Sequence, residues 1–225
     1  MKNLKYKEYQ FTHLSNRLPP LDFYNERKKK LEPWQVKVLL SIDHEENTLV
    51  CAKTSMGKTW LAMYPPLKNL RTLFIVPTKP LAYQVASVFM KFLDGKTSLL
   101  VKDYFLNTKD SLVLVGTPTE IEKNLPNIDS NFDFIVCDEI HNLNNYDGDC
   151  YERLLKLFLP TTKFLALSAT VGNSEELRLW FEEISNKNVN LVQHSTRFLN
   201  HQRHILVDNT LEKIHPFSCV EVADI

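Results

Sequence analysis

The chain has 225 residues, 44% of them hydrophobic and 24% charged, with 13 Phe, 8 Tyr and 3 Trp; that is enough apolar side chain to bury a core and excludes wholesale disorder. The length suits one α/β domain or two small ones and excludes a third. Lys and Arg number 27 and so do Asp and Glu, for a formal net charge of zero, so no overall basic bias announces a nucleic-acid partner.

The charge is unevenly spread. Residues 1–30 hold eight Lys or Arg against three acids, whereas 129–185 hold eleven acids against four bases, which gives the chain a basic and an acidic end. The run from Arg27 to Lys30 reads as a solvated helix start rather than a dedicated nucleic-acid patch. No run of 18 apolar residues occurs and the first 30 residues contain no apolar stretch, so neither a membrane span nor a secretory signal is expected. The expected compartment is cytoplasmic, with nuclear or viral-particle association left open. Cys51, Cys137, Cys150 and Cys219 lie far apart without a CxxC pair, which argues for free thiols rather than a zinc knuckle or a disulfide framework.

In chain order, residues 1–30 read as an N-terminal extension, and a helix over 34–43 leads into a strand over 48–52. Helices over 58–70, 80–93, 119–125, 151–159 and 174–184 then alternate with strands over 72–76, 98–101, 112–115, 132–137, 164–167 and 189–192. Strand and helix alternating at this spacing predict a mainly parallel sheet covered on both faces, and the continuous apolar strands TLFIVP and FDFIVC agree with burial on both sides. Pro80 suits a first helical turn, and Asn173 or Ser174 before Glu175 and Glu176 suits a cap at the positive end of a helix dipole. Residues 196–225 read as a tail.

The strand Leu49-Val50-Cys51-Ala52 runs into Lys53-Thr54-Ser55-Met56-Gly57-Lys58-Thr59 and then a helix, the context of a phosphate-binding loop. Backbone N–H groups of Thr54, Ser55, Met56 and Gly57 would curl round the β- and γ-phosphates of ATP. Lys58 would neutralise their charge and the Thr59 hydroxyl would ligate Mg2+. Ala52 stands where the pattern GxxxxGK[ST] has its first Gly. Such a loop needs a second magnesium ligand and a group to activate water at the end of another buried strand. Asp138 and Glu139, after Phe132–Cys137, supply a magnesium-holding carboxylate and a general base.

This loop, Asp138-Glu139-Ile140-His141 and Ser168-Ala169-Thr170 at a further strand end together resemble the first RecA-like domain of a superfamily 2 DExH-box helicase. Pro33-Trp34-Gln35 is similar to the adenine-reading Gln motif, Val76-Pro77-Thr78-Lys79-Pro80-Leu81 with Gln84 to motif Ia, and Gly116-Thr117-Pro118 to motif Ib. The run Leu167 to Asn173 followed by Glu175-Glu176-Leu177 and Trp180 resembles the superkiller-type helicases, and PTKPLAYQVA with EKIHPFS resembles the large antiviral DExD/H-box proteins. The resemblance covers about 31–207 and implies a three-layer α/β/α sandwich over 31–195, with 196–225 beginning an interdomain linker and the second RecA-like domain lacking. It implies that Gln35 reads adenine and that Thr78, Lys79, Gly116 and Thr117 contact the backbone of single-stranded RNA or DNA, with RNA favoured. It further implies that His141, Ser168 and Thr170 couple nucleotide to strand, with Ser168 bonding near His141.

The expected function is the ATP-binding lobe of a nucleic-acid-dependent ATPase, monomeric when isolated. A non-catalytic nucleotide-binding or nucleic-acid sensor module is a second reading, and a DNA helicase or double-stranded DNA translocase a third. His201 and His204 read as a surface pair rather than a metal site. Cys51 and Cys137 are expected to end neighbouring strands. Trp34, Trp60 and Trp180 are expected to pack helices on the sheet, with Trp34 near enough to the adenine motif for stacking.

Overall fold

Period-two alternation along the strands divides the interior into two apolar layers, and a helix layer covers each. In the computed structural model, which describes residues 31–53, 56–108, 110–144, 148–169, 172–195, 204–207 and 210–213, the strands are β1 (Asn47–Ala52), β2 (Thr72–Ile75), β3 (Thr97–Val101), β4 (Tyr104–Leu106), β5 (Val113–Gly116), β6 (Phe134–Cys137), β7 (Lys163–Ser168) and β8 (Val189–His194). They form one sheet in the order β4-β3-β5-β2-β6-β7-β1-β8. Every pairing is parallel except that of β4 with β3.

The helices are α1 (Pro33–Asp43), α2 (Lys58–Ala62), α3 (Tyr64–Leu67), α4 (Lys79–Phe92), α5 (Pro118–Asn124), α6 (Gly148–Phe158) and α7 (Ser174–Ser185). Trp34, Val38 and Ile42 of α1, Leu61 of α2 and Val85 and Phe89 of α4 pack with Val50, Phe74, Val136 and Leu165 on one face. Ile121 of α5, Tyr151, Leu155 and Phe158 of α6 and Phe181 of α7 pack with Leu49, Ile75, Ile135 and Ala166 on the other. The result is a three-layer α/β/α sandwich whose central strands are buried throughout, which is why their sequences do not alternate with polar residues.

Several local expectations are corrected. The helix expected over 58–70 divides between α2 and α3, because Pro65 and Pro66 have no N–H to return to the preceding turn. Cys51 and Cys137 are both buried free thiols, but β7 lies between their strands, pairing Cys51 with Ser168 and Cys137 with Ala166. Trp34 is buried and Trp180 packs edge-on to Phe181, whereas Trp60 stands 43% exposed on α2. Strand β4 was not expected: a short turn at Lys102-Asp103, with Asp103 at φ 64°, reverses the chain without any Gly or Asn to signal it.

Among the described residues no helix is long and apolar enough to cross a membrane. The chain divides into two units, and the sheet belongs to the one spanning Leu21–Thr196. In the other, β9 (His204–Val207) and β10 (Thr210–Lys213) form an antiparallel hairpin. His201 lies outside the described residues.

Candidate nucleotide site and strand-binding edge

In an open parallel sheet the carboxyl ends of the strands gather at one edge, where loops turn into helix N-termini and ligands bind. Here that edge holds the end of β1 with the phosphate loop, the end of β6 with Asp138 and Glu139, the end of β7 with Ser168, and the ends of β2 and β5 with Thr78 and Thr117. Asp138 continues β6 by donating its N–H to the carbonyl of Ile75 at 2.9 Å.

Gly57 adopts a left-handed conformation at φ 81° immediately before α2, where a side chain would be strained. That turn directs Lys58 inward. Only 6% of Lys58 is exposed, and its ammonium donates to the carbonyls of Ala52 at 2.7 Å and Lys53 at 3.4 Å. A lysine that deep is normally paired with an acid; here the loop's own carbonyl oxygens hold it. Thr59 is exposed in the first turn of α2. Thr54 and Ser55 lie outside the described residues.

Asp138 is 5% exposed. Burial, and then the charge of Glu139, push its carboxyl up to about 6, against the pull of the Glu139 N–H bond and of Lys58. The Glu139 N–H reaches Asp138 Oδ1 at 2.9 Å, and Glu139 adopts φ 50°, a strained conformation for a residue with a side chain. Tyr151, fully buried on α6, donates its hydroxyl to the Asp138 carbonyl at 3.0 Å and thereby ties that strained turn to the helix layer. Burial also raises the Tyr151 hydroxyl well above its usual value, so it serves as a donor.

Glu139 Oε2 is buried with no hydrogen-bond donor among the described residues. His141 Nδ1 stands 3.3 Å away, yet that nitrogen receives the Ala169 N–H at 3.4 Å. The other ring nitrogen, Nε2, lies 3.5 Å from Asn142 Nδ2. The contact between the Asp-Glu turn and the end of β7 runs from His141 to the Ala169 amide. Ser168 Oγ, expected to bond near His141, is instead buried without a partner among the described residues. Thr170 lies outside the described residues.

Gln35 meets the loop from α1. Its amide Nε2 donates to the Met56 carbonyl at 3.2 Å and its Oε1 accepts from the Glu32 N–H at 3.0 Å, a capping box with Glu32. Trp34 donates its indole N–H to Glu32 Oε2 at 2.7 Å and stacks on His194 at 5.2 Å.

Along the other half of the edge, Thr78 and Lys79 are exposed where α4 begins. Lys79 donates to the carbonyl of Lys102 at 2.9 Å and lies over the Tyr83 ring at 5.9 Å. Gly116 ends β5 where an added Cβ would meet Ile121 Cγ1 at 2.8 Å and the Leu100 carbonyl at 3.0 Å. Thr117 donates its N–H to that same carbonyl at 3.3 Å. The structure thus brings together Gln35 with the phosphate loop, Lys58 with Asp138 and Glu139, and His141 with the end of β7; Thr78, Lys79, Gly116 and Thr117 form a separate stretch of the same edge. Sequence reasoning missed Glu32, which directly precedes the Gln motif and caps its helix, and Tyr151, His194 and Lys102, which reach motif residues from distant points of the chain.

The DEAD/DEAH box helicase family model matches residues 32–178. The chain is 28% identical to the Antiviral helicase SKI2 of Saccharomyces cerevisiae over 72% of its length, and 30% identical to the Probable ATP-dependent RNA helicase DDX60-like of Homo sapiens over 67%. It covers 13% and 10% of those two proteins, so it spans only a small part of their length. A hypothetical ATP-dependent RNA helicase from Sulfolobus tokodaii shares the fold with a TM-score of 0.60 and 22% identity, over 73% of this chain and 54% of that one. Motif order, sheet topology and these likenesses agree: the chain belongs to the DEAD/DEAH box helicase family, among relatives of the superkiller type.

Proposed function

We propose that this chain is the ATP-binding RecA-like lobe of a nucleic-acid helicase that acts on RNA in preference to DNA. The observation that carries the reading is the pair of buried Lys58 and Asp138 beside half-buried Glu139, whose Oε2 is itself buried. A buried ammonium held by loop carbonyls, a carboxyl raised by burial and by the charge of Glu139, and a carboxylate oxygen with no hydrogen-bond donor among the described residues would each be relieved by a magnesium-bound polyphosphate. The donor set therefore suits that ligand.

In this reading Lys58 leaves the Ala52 carbonyl for the terminal phosphate, and the Thr59 hydroxyl and Asp138 hold Mg2+. Magnesium, when bound, supplies positive charge to the phosphate oxygens. Glu139 Oε2 accepts the proton of the attacking water; its freedom from other donors leaves it available as a base. Gln35 gives its two amide atoms to the adenine edge in place of Met56 and Glu32, a match to N6 and N7 together. Thr78, Lys79, Gly116 and Thr117 hold the sugar-phosphate backbone of a single strand, which carries no sequence information. His141 and the end of β7 transmit between the two stretches. The relatives named Probable ATP-dependent RNA helicase DDX60-like and ATP-dependent RNA helicase mtr4 support RNA as the strand.

The test is titration of a fluorescent ATP analogue with magnesium into the chain and into Lys58→Ala, followed by single-stranded RNA. Binding by the parent, loss of nucleotide binding in the variant, and salt-sensitive RNA binding are expected. Equal nucleotide binding by Lys58→Ala, or none by either protein, would overturn the assignment in favour of an interaction module.

A further inference from the structure

Beyond Lys79 the carboxyl edge of the sheet ends in the β3–β4 turn, and there the surface becomes aromatic. Tyr83, one turn into α4, is 42% exposed, and Tyr104, the first residue of β4, is 48% exposed. Their ring centroids are 6.5 Å apart with the planes inclined at 39°. Alternation along β4 puts Tyr104 and Leu106 on the α4 side, where they line a groove of about 500 Å3 with Tyr83, Ser87, Met90 and Lys91.

Packing does not account for tyrosine at either place. Neither hydroxyl has a hydrogen-bond partner among the described residues, and both rings leave about half their surface to solvent, where large apolar side chains contribute little to stability. A tyrosine so placed offers a rigid, sequence-tolerant π-face. The charge beside it is positive. Lys79 sits over the Tyr83 ring and is fixed to the Lys102 carbonyl of the same turn, and Lys91 is the charged residue of a groove lining that contains no acid; the exposed acid of the turn is Asp103. Exposed aromatics interleaved with lysines form the pattern that holds single-stranded nucleic acid, with the cations on phosphates and the rings on bases.

We propose that Tyr83 and Tyr104 are a base-stacking platform that carries a single strand from Lys79 across the β3–β4 edge, a reading that rests on the assignment of Thr78 and Lys79 to the strand-binding track. Lys79 is the hinge between the two. Its tether to Lys102 aligns a phosphate contact with the rings, so that the backbone is held at the turn while its bases face the tyrosines. The occupant is nucleic acid because the groove opens directly from the proposed track and carries the charge complementary to phosphate.

Titrations of the full chain with a single strand bearing a fluorescent adenine analogue test this, using the tyrosine variants beside Lys79→Ala. Base fluorescence falls on binding to the parent and is unchanged on binding to Tyr83→Leu or Tyr104→Leu, which keep the groove's apolar wall and fold while removing the ring. Affinity drops roughly five- to a hundred-fold for each ring that stacks, the slope of log affinity against log salt stays the same, and Tyr83→Phe and Tyr104→Phe restore binding. Lys79→Ala behaves differently, lowering that slope by about 0.7 for its lost phosphate. If the leucine variants bind and quench as the parent does while Lys79→Ala weakens binding, the platform is wrong and the track stands. If Lys79→Ala and Thr78→Ala are both silent, the track fails and the platform with it. Phenylalanine variants as weak as the leucine ones would exclude stacking.

Discussion

Replacing Asp138 by Asn should stabilise the chain at neutral pH while removing its capacity to hold magnesium. The buried carboxyl stands at about 6 against 3.8 for the unperturbed group, so the folded state binds its proton more tightly than the unfolded state does. Below the unfolded value both states are protonated and the residue contributes nothing. As pH rises through the folded value the native state must keep a buried charge that the unfolded chain hydrates freely, and stability is lost. Two pKa units at about 1.4 kcal/mol each set the penalty at roughly 3 kcal/mol in full, an upper bound because other groups relax around the charge. The amide of Asn retains an oxygen for the Glu139 N–H and carries no charge. In urea unfolding at about pH 7.5 the variant should therefore exceed the parent by ~1–3 kcal/mol, the gap closing as pH falls towards about 4. Added magnesium should narrow the gap at neutral pH by stabilising only the parent. A variant less stable than the parent by the same amount at every pH would refute the electrostatic account and reduce Asp138 to a packing role.

Two further substitutions probe how the site is held. Gly116→Ala places a methyl group within 2.8 Å of Ile121 Cγ1 and 3.0 Å of the Leu100 carbonyl, an overpacking that should cost about 1–3 kcal/mol in urea unfolding and shift Thr117; an unchanged midpoint would mean that α5 moves away freely. Tyr151→Phe removes the buried hydroxyl that donates to the Asp138 carbonyl at 3.0 Å. It should lower stability by about 1–3 kcal/mol and weaken magnesium-nucleotide binding, measured by titration calorimetry, because the Asp138-Glu139 turn loses its brace; wild-type affinity in a destabilised variant would separate the brace from the site.

Much of the scaffold was legible because burial on two faces forces runs such as LVCA, TLFIV and FDFIVC into continuous apolar form. The phosphate loop and the Asp-Glu pair were legible for a related reason: their chemistry depends on residue type at strand ends, where topology brings separate segments together without needing any side-chain detail. What failed to show were features set by long-range geometry. Strand β4 has three residues and pairs through a turn without Gly or Asn, so neither length nor turn chemistry marks it. The order of strands could not be read from their sequence order, and so Cys51 and Cys137 were expected side by side although β7 separates them. Trp60 follows the phosphate-loop lysine with the spacing of a packed residue, yet the break at Pro65-Pro66 shortens the helix and Trp60 faces outward. The roles of Tyr151 and His194 arise from contacts 13 and 160 residues away along the chain, Tyr151 with Asp138 and His194 with Trp34; no local pattern encodes such pairs.

The separation of β1 and β6 by β7 also explains why motif residues meet as they do. With β7 between them, the end of β7 lies beside both the phosphate loop and the Asp-Glu turn, and His141 reaches it through the Ala169 amide rather than a side chain. His141 Nδ1 faces a donor, Ala169 N–H, at 3.4 Å and an acceptor, Glu139 Oε2, at 3.3 Å. One nitrogen cannot serve both in one protonation state. With its proton on Nε2 the ring holds the end of β7 and leaves Glu139 Oε2 open to water; with a proton on Nδ1 it would bind Glu139 and release the Ala169 amide. The base that the proposed reaction needs and the contact that would carry its outcome towards the strand are therefore alternatives to a proton on Nδ1: a ring without it leaves both available, and a ring with it removes both at once.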